Sequence, residues 1–184
     1  MKVVASALAI ILFTLLVIFL NKNEDYNSEA FMEDLKLKSS AFEEGGSIPS
    51  KYTCDGENTN PPLSISGVTK EAKSLVLIMD DPDVPRYIRE DGMWDHWIVF
   101  NIPTSITEIS EGEEPEGIHG EGTSGNMKYH GPCPPDKEHR YIFQLYALDT
   151  ELDLREGAGK EVVKSAMKGH ILKKAELIGV YNRN

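Results

Sequence analysis

The sequence predicts a mainly β domain, on three observations. Short apolar or alternating runs of strand length recur along the chain, one stretch near its end carries a helical period, and no phosphate loop or dinucleotide fingerprint is present. Many strands and one late helix argue for mainly antiparallel sheets rather than a βαβ repeat. The 184 residues, 40% hydrophobic and 27% charged, suffice for one globular domain with a real core plus a short extra segment. A formal net charge of -11 argues against nucleic-acid binding, since phosphate contacts need clustered Lys and Arg.

In chain order, Val3 to Leu20 is an uninterrupted uncharged run preceded by Lys2. About 18 residues at 1.5 Å rise span roughly 27 Å, enough to cross a bilayer with little tilt. No A-x-A-like cleavage site follows, so residues 1–22 read as a transmembrane signal anchor rather than a removed leader. Lys2 on the short side, with Glu24 and Asp25 alongside Lys22 beyond the run, places the N-terminus inside and the domain on the extracytoplasmic side. Residues 23–36 read as a linker and 37–184 as the domain.

The alternation from Leu35 to Phe42 marks a first strand, and Leu63 to Ser66 alternates again. Between them lies a long loop punctuated by Gly, Pro, Asn and Asp. Ser74 to Met79 and Arg140 to Leu148 are continuous apolar runs of strand length. In the strand M-W-D-H-W-I-V-F-N-I, strict alternation puts His96, Ile98 and Phe100 on one face and Asp95, Trp97, Val99 and Asn101 on the other. Pro103 to Asn126 reads as an exposed loop, with Glu111 to Glu116 a solvated acidic stretch. Val162, Val163, Ala166, Met167 and Ile171 predict a helix over 160–174 whose stripe packs on the sheet, with His170 at the stripe's edge. A last strand follows in A-E-L-I-G-V-Y-N-R.

Three short polar stretches carry the chemistry. In D-P-D-V-P, the prolines hold Asp81 and Asp83 in fixed geometry at a strand end; a plain turn with Asp side chains on the local backbone explains the same residues. His96 opens the central strand, and His139 and Tyr141 share a face at the start of theirs. Two imidazoles and a phenol supply donors for an anion, with nearby aspartates orienting the rings. G-P-C-P-P, Gly131 to Pro135, is a stiff wall or a structural crossing loop. His96, His130, His139 and Cys133 lack any recognised zinc spacing, so no metal and no cofactor is expected.

These pieces, D-P-D-V-P, W-D-H-W-I-V-F-N-I-P, Y-H-G-P-C-P-P and H-R-Y-I-F-Q-L-Y-A-L-D, in this order, resemble the phosphatidylethanolamine-binding protein family, in particular its bacterial and archaeal Raf kinase inhibitor-like branch. Y-T-C-D-G-E-N-T-N-P-P-L-S-I-S and G-H-I-L-K-K-A-E-L-I-G-V-Y extend the match over Leu37 to Arg183. The resemblance implies a large antiparallel sheet packed on a smaller one, a C-terminal helix and a small anion pocket. It implies that Asp81, Asp83, Trp94, His96, Gly131, Pro132, Pro134, His139 and Tyr141 line that pocket. Phosphate-like groups, phospholipid headgroups or carboxylates are the ligands implied, and no reaction is generally assigned. Asn60, where Ser is more usual, and Gly159, a poor helix cap, depart from the pattern.

The two cysteines, Cys54 and Cys133, either bridge the long loop to the pocket wall or stay separate thiols. The leading expectation is a membrane-anchored module binding a small anionic or phosphorylated ligand. The anchor argues against a cytosolic kinase partner, and no protein partner is indicated. The alternatives are a hydrolase or lyase using an Asp-oriented histidine, and a loop-presenting protease inhibitor.

Overall fold

The structure, a computed structural model, describes residues 34–183. The predicted membrane span and most of the linker lie outside them. Among the described residues no helix is long and apolar enough to cross a membrane.

Two antiparallel sheets form the domain. The smaller joins β1 (Lys36–Ser39), β2 (Leu63–Ser66) and β5 (Glu108–Ile109) in the order β1-β2-β5. The larger has the order β6-β4-β3-β7-β8, from β3 (Ser74–Asp81), β4 (Trp94–Ile102), β6 (Ile118–His119), β7 (His139–Leu148) and β8 (Ile171–Tyr181). Among the described residues one short α-helix, α1 (Lys160–Ala166), lies between β7 and β8 in sequence.

The central strand β3 is buried along its whole length because both of its faces are covered. Leu75, Leu77 and Met79 join Trp97, Val99, Phe143 and Leu145 against Leu37, Leu63 and Ile65 of the small sheet. Val76 and Ile78 join Ile98, Phe100, Tyr146 and Leu148 beneath Val163, in the middle of α1, and Met167, just beyond its end. A strand packed on both sides reads as continuous rather than alternating apolar sequence, which is the pattern of S-L-V-L-I-M. β2, covered on one side, keeps its strict alternation of buried and exposed residues.

Several predicted boundaries move. β1 stops at Ser39, and Phe42 reaches the core from the turn that follows. The helix ends at Ala166, not near Lys174. Gly169 follows at φ 83°, a left-handed conformation that stops the helix, and Ile171 starts β8 half-exposed. The loop from Pro103 to Asn126 contains the two-residue strands β5 and β6.

Its acidic stretch is also partly structural rather than solvated. The Glu114 carboxylate accepts from the Trp97 indole at 2.8 Å and the Tyr129 amide at 2.9 Å, and Glu111 accepts from Lys51 and Tyr52. His170 is no packing residue: it is nearly half-exposed and bonds Asp149 at 2.8 Å.

Candidate functional site

Two irregularities in β4 decide where the site forms. Along β3, Met79 pairs with Trp97 and Asp80 with Asp95, so His96 is an extra residue in β4. Such a bulge interrupts alternation. His96 consequently leaves the face of Ile98 and Phe100, where strict alternation puts it, and meets Tyr141 edge-on at 5.3 Å. Asp95 makes the opposite change and forms an ion pair with Lys160 of α1.

A second extra residue, Asn101, sits between the Leu77–Val99 and Leu75–Ile102 pairs. It adopts φ 54°, and its side-chain amide donates to Leu152 O at 2.9 Å and accepts from Leu152 N–H at 2.8 Å. Ile102 is thereby returned to the face of Trp97 and Val99.

His139, at the start of β7, is fully buried between two carboxylates. Nδ1 lies 2.7 Å from Asp81 Oδ2 and Nε2 lies 2.9 Å from Asp136 Oδ1, so both ring nitrogens are used. Asp81 also accepts the Asp83 amide at 2.8 Å, the local turn that D-P-D suggests. Burial pushes the Asp81 carboxyl above its ordinary range, against the pull of His139. Asp83 points elsewhere. It takes the Arg140 guanidinium at 2.8 Å through each of two nitrogens and the Arg140 amide at 3.0 Å, and the guanidinium holds its carboxyl low.

Beside this pair is a cavity of about 300 Å³ lined by Asp81, Val84, Ile88, Trp94, His96, His130, Cys133 and Pro135. Three residues singled out from the sequence, Asp81, Trp94 and His96, line it directly. His139 and Tyr141 stand behind the wall. Gly131, Pro132 and Pro134 support it rather than face it. Gly131 donates to Asn58 Oδ1 at 2.8 Å, and a Cβ there would lie 2.3 Å from Tyr52 O, so only glycine fits. Pro132 O accepts the Cys54 amide at 3.0 Å, and Pro134 lines a separate surface hollow with Asp55 and Asp136.

Cys54 and Cys133 form a disulfide with Cα atoms 5.4 Å apart, closing 79 residues of chain onto the cavity wall. Cys133 therefore offers no thiolate.

His130, which the sequence offers only as a zinc ligand without the right spacing, lines the cavity, as do Val84 and Ile88, which no sequence argument marks. Their signal was at hand: each lies within or just after a motif quoted for its neighbours.

The rings of His96 and His130 stack at 5.9 Å, and the His96 Nδ1 lies 2.6 Å from His130 O. The His130 amide returns a bond to His96 O at 3.2 Å. Burial pushes His96 down to about 3 and lowers His130 as well, so both imidazoles are neutral at pH 7. Among the described residues no Lys or Arg lines the cavity. On the cavity wall the Trp94 indole N–H is buried without a hydrogen-bond partner among the described residues. Orphaned buried donors are rare in folded proteins and mark places where another molecule completes the bonding.

The opposite face of the same strand ends carries a closed network. Asp80 accepts from Gln144 Nε2 at 3.1 Å and from Lys160 Nζ at 3.2 Å, and Tyr146 donates to Gln144 Oε1 at 2.6 Å. Burial opposes charge on Lys160, but the Asp80 and Asp95 carboxylates outweigh it and raise the ammonium above its ordinary value.

Comparison with known proteins agrees with this architecture. Residues 38–182 match the family profile described as phosphatidylethanolamine-binding protein. A UPF0098 protein of Methanothermobacter thermautotrophicus is 54% identical over 155 residues, covering 81% of this chain and 99% of its own. A phosphatidylethanolamine-binding protein homologue from Chlamydia trachomatis superposes with a TM-score of 0.80 at 49% identity, covering 82% of this chain and 99% of that one. Escherichia coli YbcL, described as a member of the mammalian PEBP family, superposes at 0.74 with 27% identity, covering 83% of this chain and 100% of its own. With its match to the family profile and its high identity to these relatives, the chain belongs to the phosphatidylethanolamine-binding protein family.

Proposed function

We propose that this protein is a binding module, tethered to a membrane by residues 1–22, whose cavity holds the anionic group of a small ligand. Phosphate-like groups, phospholipid headgroups and carboxylates are the class. The observation that carries the reading is the buried Trp94 N–H, without a hydrogen-bond partner among the described residues, on the wall of a cavity of about 300 Å³. An anion's lone pairs are what that group lacks. The domain's place outside the cytoplasm is supported by the Cys54–Cys133 bridge, a bond that persists in oxidising compartments.

The geometry favours binding over hydrolysis. The histidine that an aspartate orients, His139, has its second nitrogen on Asp136 and keeps none free for a general base.

Calorimetric titration of the full-length protein in a phosphate-free detergent, with inorganic phosphate, phosphoethanolamine and acetate, tests the reading. Saturable binding of at least one, weakened about tenfold or more in His96→Ala, is expected. Absence of saturable binding for all three overturns it.

A further inference from the structure

The chain itself decides which nitrogen of His96 carries hydrogen. Nδ1 lies 2.6 Å from the His130 carbonyl oxygen, which can only accept, so Nδ1 is the donor. In a neutral ring Nε2 is then a bare lone pair, and it is the nitrogen left to the cavity that the ring lines. Burial keeps the ring neutral.

The groups around it supply no positive charge to spare. His130 stacks on His96 at 5.9 Å and is itself held neutral by burial. From β7, Tyr141 stands edge-on at 5.3 Å and is held un-ionised by burial, while His139 is engaged by Asp81 and Asp136. Lys160, on the helix side, is held by Asp80 and Asp95. Asp81 lines the cavity as a further acceptor.

A fully ionised phosphate group would meet a lone pair and a carboxylate with no cation to offset them. An oxyanion that keeps one hydroxyl meets a matched set: its O–H donates to Nε2, and another of its oxygens accepts from the Trp94 indole. Resting on the binding reading above, we infer that the cavity selects a protonated oxyanion of the phosphate-monoester class and that each ligand carries one proton in with it.

The balance is simple. Above the monoester's second pKa of about 6 the free ligand is a dianion, so one proton is drawn from solvent on binding. It rests between a phosphate oxygen and Nε2, and the count is the same whichever side holds it. A phosphodiester has no hydroxyl to offer and binds only if His96 itself is charged, against the burial of its ring.

Calorimetry of the full-length protein in phosphate-free detergent, with methyl phosphate and dimethyl phosphate in buffers of different ionisation enthalpy, tests this. Near pH 7.5 about one proton is taken up per methyl phosphate, and the apparent affinity falls roughly tenfold per pH unit above about pH 6. Dimethyl phosphate binds at least about tenfold more weakly near pH 7.

Methyl phosphate binding without proton uptake overturns the inference and leaves the binding reading intact. No binding of either ligand between about pH 5.5 and pH 8 overturns both. In His96→Asn, whose amide can donate at any pH, methyl phosphate binding should persist without uptake. Uptake that persists in His96→Asn and vanishes in Asp81→Asn assigns the proton to Asp81 and overturns the role given to His96. Independently of any variant, imidazole 15N NMR of the free protein near pH 7 should show His96 as the Nδ1–H tautomer; an Nε2–H ring or an imidazolium overturns it.

Discussion

Asp80 and Asp81 are neighbours at the end of β3, yet they serve polar networks of opposite character on the two faces of one sheet. Asp80 is enclosed with Gln144, Lys160 and Tyr146, each bonded within the group. Asp81 bonds His139 at the wall of a cavity that keeps the Trp94 indole N–H and one imidazole nitrogen unsatisfied by the fold. A closed network of buried charge specifies the packing of α1 on the sheet. An open one, one residue further along the same strand, leaves polar atoms on a cavity wall.

The closed side should break hardest. Lys160→Met keeps the volume but removes the ammonium that Asp80 and Asp95 share, leaving Asp80 only the half-exposed Lys164 at 3.9 Å, and the expected loss is about 3 kcal/mol in urea denaturation. A loss below about 1 kcal/mol would mean that the network contributes only position. On the open side, the largest structural effect should come from the bridge behind the cavity wall. Closing 79 residues, its removal in a Cys54→Ser, Cys133→Ser protein should cost about 2–4 kcal/mol, and should weaken ligand binding because Cys133 lines the cavity.

A third test uses pH. His96 has a folded-state pKa of about 3, below its unfolded value, so the unfolded chain takes up the proton first as pH falls. That contribution to stability is intact above about pH 6.5 and is lost progressively below it, by up to about 2 kcal/mol at pH 5. Thermal unfolding of wild type and His96→Gln between pH 7 and pH 5 should differ in slope by that amount; equal slopes refute the assignment.

The smallest effect belongs to Asp83. Its ion pair with Arg140 is half-exposed on the arginine side, so Arg140→Ala should cost no more than about 1 kcal/mol and should leave the closed network unaffected.

The strands were legible because each stated its environment locally. Leu63 to Ser66 alternates since one side is covered, and Ser74 to Met79 is apolar throughout since both are. The helix was overread because Ile171 falls in phase with Val163 and Met167, although Gly169 has already ended the turn; hydrophobic period does not register a stop. Lys160 carried no signal at all. A lysine at a helix start reads as surface, and its burial depends on two carboxylates, Asp80 and Asp95, brought to it from distant strands.

For the site, the residue types were readable and their arrangement was not. Asp81, Trp94 and His96 were singled out and line the cavity, whereas His139 was expected to face a ligand and is instead locked between Asp81 and Asp136. His130 enters the sequence reading only as a rejected zinc ligand, though its carbonyl holds His96 and its ring forms part of the wall.

By itself, the amino-acid sequence determined which segments become strands, that β3 and β4 are covered on both sides, and which polar residues gather at their ends. Tertiary structure alone decided which face each polar residue serves and which nitrogen of His96 is free. The reason is that a strand's alternation is local, but a bulge is a property of two paired strands: the extra residue at His96 turns it toward Tyr141 and Asp95 toward Lys160, and no single strand records its partner's count.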